Sequence, residues 1–145
     1  MALQLGMNAV LKHGTAGAIA NTALGKVKNV TLNLETGEAD VTTRGNNGWK
    51  ATVSTLKDAS IEFEMVWDTS DAGFTAIKNA YFGNSAIALL ALDKDAAGGQ
   101  GLDADFMITN FTREEPLDAA ITVKVTAKPT LSTRAPQWHT VSGGT

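Results

Sequence analysis

Four aspartates crowd one glycine-rich loop: Asp93, Asp95, Asp103 and Asp105 flank Gly98-Gly99-Gln100-Gly101. Aspartates at i, i+2 beside glycines are the donors that a hard cation such as calcium takes. The loop lacks the terminal bidentate Glu and the spacing of a helix–loop–helix calcium site, so no metal is expected there. The glycine run has the composition of a phosphate cradle, but no Lys-Ser/Thr follows it and it opens no helix, so it reads as a turn. Glu62 and Glu64 lie on one face of an alternating segment, the arrangement that paired acids in glycoside hydrolysis would need. A sugar platform does not accompany them, because Trp49, Trp67, Tyr81 and Phe111 stand singly at core or boundary positions. His13 and His139 have no His-x-x-x-His partner and no paired Glu, which argues against zinc. With no cysteine there is no thiolate nucleophile, thiolate zinc site or disulfide framework. No catalytic, cofactor or metal residue is assigned, and an enzyme is not expected.

The elements that would carry these side chains follow from the hydrophobic period. Val30, Leu32 and Leu34 alternate with Thr31 and Asn33, Glu35-Thr36-Gly37-Glu38 offers turn chemistry, and residues 39–43 read as a second strand. Asn46-Asn47-Gly48 is a stronger hairpin signal, since these residues tolerate positive φ, and residues 49–53 resume the alternation as a third strand. Residues 59–67 alternate most regularly: Ile61, Phe63, Met65 and Trp67 face a core, while Ser60, Glu62, Glu64 and Val66 form an acidic outer face. The period then becomes helical, with Phe74, Ile77 and Tyr81 predicting one helix near residues 70–82. Asp68, Thr69 or Ser70 would cap its start and Gly83 would close it in a left-handed conformation. Residues 85–92 read as a buried strand, and 102–113 and 117–128 complete seven strands. The predicted fold is mainly β (α+β), a β-sandwich or open barrel with one flanking helix.

At 145 residues the chain fits one domain, predicted over residues 27–128, with residues 1–26 as an N-terminal arm and 129–145 as a C-terminal arm. Both arms are too poor in apolar periodicity to form core by themselves. Only 19% of residues are charged, below the roughly 25% usual for soluble domains, which leaves small neutral surface for contact. The net charge of −3 hides a division: all fifteen acids lie between residues 35 and 118, whereas Lys12, Lys26, Lys28, Lys124, Lys128 and Arg134 lie outside. A pI near 5.3 argues against a nucleic-acid reader, which needs a concentrated basic face. The opening residues lack the basic n-region of a signal peptide, and the apolar run at 86–92 falls far short of the ~20 residues of a membrane-spanning helix. Neither secretion by the standard route nor a membrane partner is expected.

Residues 27–32 (Val-Lys-Asn-Val-Thr-Leu), then Ala39-Asp40-Val41-Thr42-Thr43-Arg44 with Gly48-Trp49-Lys50, then Leu56-Lys57-Asp58-Ala59-Ser60-Ile61-Glu62-Phe63, resemble the phage major tail protein, or tail tube, family. The resemblance covers residues 27–128. It implies a structural subunit whose sheets join between copies into a homohexameric ring, with stacked rings forming a tube through which DNA passes unbound. It also implies a virion-tail location, host cytoplasm during assembly, and tape-measure and terminator proteins as partners. Glu62 and Glu64 are expected to line the lumen, where like charge keeps phosphates from sticking. Tube proteins of this kind often carry a long loop between early strands that reaches the next ring, and the turns at residues 35–38 and 44–48 read as short. Inter-ring contact is therefore expected from the arms and the glycine loop, through Lys12, Lys26, Lys28, Asp93, Asp95 and Arg134. The alternatives are a secretion-type tube or ring protein, and a monomeric carbohydrate- or calcium-binding β-sandwich.

Overall fold

A computed structural model describes residues 9–25, 27–130 and 132–142. Eight described strands and one helix run in the order β1 (Val10–Thr15), β2 (Thr22–Ala23), β3 (Val27–Asp40), β4 (Thr52–Val66), α1 (Ala72–Phe82), β5 (Ile87–Leu92), β6 (Gln100–Glu114), β7 (Thr122–Pro129) and β8 (Gln137–Thr140). All eight share one antiparallel sheet that curls into a half-barrel, seven of them in the order β2-β1-β5-β6-β7-β4-β3 and β8 pairing β6 off that path. This is the open-barrel form of the expected fold, mostly β with one flanking helix. Strand β6 organises it: one edge pairs β5 over Gly101–Phe106, and the other takes β8 at Gln100–Asp103 and β7 from Phe106 onward.

The core follows from the alternation. Ile61, Phe63 and Met65 of β4 are buried beside Val123 and Val125 of β7, and α1 lays Phe74 and Ile77 over them. Trp67, just past the strand, is only partly buried and meets Phe74 edge-to-face at 4.8 Å, with the Arg113 guanidinium 4.9 Å from its ring centre. The Asp71 carboxylate accepts from Phe74 N at 3.0 Å, so the cap falls one residue later than expected. At the far end the left-handed residue is Asn84 (φ 49°), and Gly83 stays right-handed. Strand β5 is buried on both faces, which is why its sequence shows no alternation: Ile87, Leu89 and Ala91 join the main core, while Ala88, Leu90 and Leu92 meet Ala20 and Val141 on the opposite side.

Three expectations need correction. The turn at residues 35–38 does not form; β3 and β4 make one ladder from Val27↔Met65 to Asp40↔Thr52, and Gly37 sits in a bulge. An added residue in one strand kinks the pair without ending it, so turn-like chemistry is absorbed inside the ladder. Residues 1–26 are not simply an arm, because β1 pairs with β5 along all six of its residues and buries Leu11. Nor is 129–145 wholly one, since β8 pairs β6.

Candidate self-assembly surface

The residues singled out by chemistry do not converge. Asp93 accepts from Gln100 N at 2.9 Å and so closes the β5–β6 turn. Asp95 pairs with Lys12 at 2.8 Å. The glycine loop spends its backbone on the C-terminal segment, with Gly98 N donating to Val141 O (3.0 Å) and Val141 N to Gly99 O (2.7 Å). A Cβ at Gly101 would lie 1.4 Å from Ala91 O, so this glycine serves close strand approach rather than ligand binding. Lys26 lies outside the described residues.

Asp103 and Asp105 point away from the core on β6 and are fully buried beneath residues 132–138. Arg134 bridges them, with Nη1 2.7 Å from Asp103 Oδ1 and Nε 3.0 Å from Asp105 Oδ1. Asp105 also accepts from Gly17 N (2.9 Å) and from the Ser132 hydroxyl, and Asp103 accepts from Gln137 Nε2 at 3.3 Å. Burial alone would raise the Asp105 carboxyl. The bonds from Ser132, Arg134 and Gly17, with the charge of Arg134, outweigh it and hold the carboxyl below its ordinary 3.8. Arg134, expected between rings, is thus an internal clamp that straps the C-terminal segment to the sheet.

His13 lies on the Leu11 face of β1, and its Nε2 has no hydrogen-bond partner among the described residues. Burial lowers its pKa from the ordinary 6.5, opposed by the charge of Asp71. The unfolded chain therefore takes up the proton first as pH falls, and stability present above 6.5 declines below it. Thermal unfolding followed at stepwise lower pH from 7 should show this decline, and His13→Gln should flatten it; an unchanged profile in the variant would assign the decline to other groups.

Two surfaces remain. On the face away from α1, Glu62 and Glu64 of β4 stand with Thr126 and Lys124 of β7 and with Thr31 and Lys28 of β3. Asn29 Nδ2 donates to Glu64 at 2.7 Å, and Asn33 Nδ2 to Glu62 at 3.3 Å. The two carboxylates thus share a polar face with lysines, and Glu64 lies in register between Lys28 and Lys124. The second surface is the outer β3–β4 hairpin. Residues 33–58 are all exposed save Asn46 and Ala51, yet they include Leu34, Val41, Trp49, Val53 and Leu56, with Trp49 at 78% and Leu56 at 85% exposure. From Leu34 to Asp40 the paired strands extend about 20 Å at ~3.4 Å per residue, and the loop at residues 41–51 adds to that reach. Asn47 (φ 53°) and Gly48 (φ 85°) supply the positive φ its tip needs. Among the described residues nothing covers these apolar side chains on the exposed two-stranded ribbon, the character of an interaction surface. Sequence reasoning identified the tip but missed the arm, because the bulge at Gly37 imitated a turn; the apolar positions persisting on both sides of residue 37 were the available signal.

A family model described as phage tail tube protein matches residues 4–131. No curated protein matches the chain in sequence. Among solved structures it is similar to a chain in the tail of an empty gene transfer agent particle refined with C6 symmetry (TM-score 0.74, 16% identity, 94% of this chain and 99% of that one). A chain in the virion of a native gene transfer agent particle gives 0.73 at 14% identity, with 94% and 99% covered. The SPP1 tail tube gives 0.71 at 13% identity, with 97% and 82% covered.

Proposed function

The chain belongs to the phage tail tube protein family, and from that premise we propose that it closes into hexameric rings that stack into a tube with an acid-bearing lumen for DNA. It is a structural subunit and not an enzyme. The observation that carries the proposal is the β3–β4 hairpin, an arm of more than about 20 Å whose apolar side chains are left exposed by the described residues. It supplies the long reach that short turns at residues 35–38 and 44–48 would deny, and it replaces the basic arms as the contact between rings. Of the charges expected there, Lys12, Asp93, Asp95 and Arg134 are engaged within the chain.

The outer edge of β3, unpaired among the described residues, supports ring closure, because an open strand edge is satisfied by pairing with a neighbour and a closed ring leaves none exposed. The face bearing Glu62 and Glu64 is the lumen in this proposal. Its mixture of carboxylates, Thr and lysines offers no concentrated basic track to hold phosphates, so DNA passes without specific binding. The gene transfer agent tail with C6 symmetry supports six subunits per ring. In this reading the protein works in the virion tail after assembly in the host cytoplasm, with tape-measure and terminator proteins as partners.

Excision of residues 37–55, with Thr36 and Leu56 joined by Asn-Gly, tests the proposal. The subunit should keep its cooperative unfolding, because the excised residues contribute nothing to the core, while negative-stain microscopy should show tubes for the full chain and none for the excised one. Tubes of normal length from the excised chain would rule the hairpin out as the stacking element.

A further inference from the structure

Where the hairpin leaves the body, a groove of about 540 Å³ opens between Leu34 and Ala59 of the hairpin base and Pro136 and Trp138 of the C-terminal segment. Trp138 is held there by its Nε1, which donates to Gln100 Oε1 at 2.9 Å, and its ring is half exposed. The groove is lined by Glu35 and Asp58 with one cation, Lys57, and Lys128 lies beside the same two acids in a smaller adjoining hollow. The hairpin tip has the opposite character: residues 43–51 contain Arg44 and Lys50 and no acid, with the exposed indole of Trp49 between them.

We propose that this groove is a socket for the hairpin tip of a second copy of the chain, with Trp49 seated against Leu34 and Trp138 and with Arg44 and Lys50 at the acidic rim. The occupant must come from another copy. The tip and groove of one subunit belong to the same continuous ladder and stand about 20 Å apart, so the hairpin cannot fold back onto its own base. Trp brings roughly 150–250 Å² of side chain, a large apolar anchor for one contact. A central aromatic in a fitted pocket with charge at the rim is the form that interaction hot spots take. Because tip and socket are different surfaces, the contact is heterologous: each subunit offers one of each, and the arrangement propagates without self-limiting pairs. This inference rests on the tube reading and specifies the chemistry of its stacking contact.

The absence of cysteine allows a clean test on the full chain. Lys50→Cys subunits, which keep Trp49, are mixed with Lys57→Cys subunits, assembled, and treated with a short bis-maleimide. Covalent heterodimers in the mixture, and a ladder of multimers from the Lys50→Cys/Lys57→Cys double variant, are expected. Tubes that form normally and give no such products would overturn the socket while leaving the tube reading intact. A full-length chain that stays monomeric by light scattering and microscopy would overturn both. As an independent measure, Trp49→Ala should raise the concentration needed for assembly roughly tenfold or more, with Trp49→Phe recovering most of it. Equal assembly by Trp49→Ala at unchanged thermal stability would also count against the socket.

Discussion

Arg134→Ala should lower folding stability by about 3–5 kcal/mol, the cost of leaving a buried ion pair without one partner. Both carboxylates beneath Arg134 are fully buried, and no other cation reaches them among the described residues. Water is excluded by residues 132–138, so the orphaned charges would have either to take up protons or to push the segment off the sheet. Asp105 sets the sign of the pH dependence. Its folded carboxyl is held below the ordinary 3.8, so its stabilisation is complete above that value and is lost as pH falls through the lowered one. Denaturant titrations of wild type and Arg134→Ala should therefore differ most near neutral pH and converge in strong acid. Neutralising the carboxylates, as Asp103→Asn/Asp105→Asn in the Arg134→Ala background, should recover part of the loss. A deficit below about 1 kcal/mol at pH 7 would mean that the three groups are more solvated than their burial indicates.

Phe74→Ala should cost about 3–5 kcal/mol as well, through a different cause. Phe74 ties α1 to the sheet: its ring is buried against Trp67 at 4.8 Å and faces Phe111 at 6.2 Å, while Phe111 stacks on Tyr81 at 5.7 Å. Removing the ring deletes the apolar contact and leaves a cavity that rigid strands on one side cannot fill. Phe74→Leu, which keeps most of the volume, should cost less than half as much. Denaturant unfolding followed by fluorescence reads this, since Trp67 lies beside the deleted ring whereas Trp49 and Trp138 are exposed and report little. A loss under about 1 kcal/mol would place the helix outside the cooperative core.

What could be read in advance depended on whether a signal is local. Ile61, Phe63 and Met65 alternate because one face of β4 is buried and the other is not, and that pattern survives any uncertainty about strand partners. The change of period at Phe74, Ile77 and Tyr81 was equally local, and it located α1 within two residues at its start. Strand β1 was hidden for the opposite reason. In Val10–Thr15 only Leu11 is fully buried, and the strand exists because β5 offers a ladder 72–82 positions away in sequence. The clamp was illegible on the same ground: Asp103 and Asp105 alternate with Leu102, Ala104 and Phe106 like any outer-face polar residues, and the cation that makes their burial tolerable lies 29–31 positions later. Gly37 failed differently, since glycine marks both turns and bulges and only the continuing pairing of Glu38 with Ser54 distinguishes them.

The late position of Arg134 gives the clamp a meaning in time. As the chain is synthesised from its N-terminus, the hairpin with its uncovered Trp49 and Leu56 is made early. The buried places of Asp103 and Asp105 become tenable only after Ser132 and Arg134 have left the ribosome. A growing chain thus holds its sticky arm before its body can close. The clamp therefore closes over the sheet only once Arg134, 29–31 positions after the acids it neutralises, has followed the hairpin out.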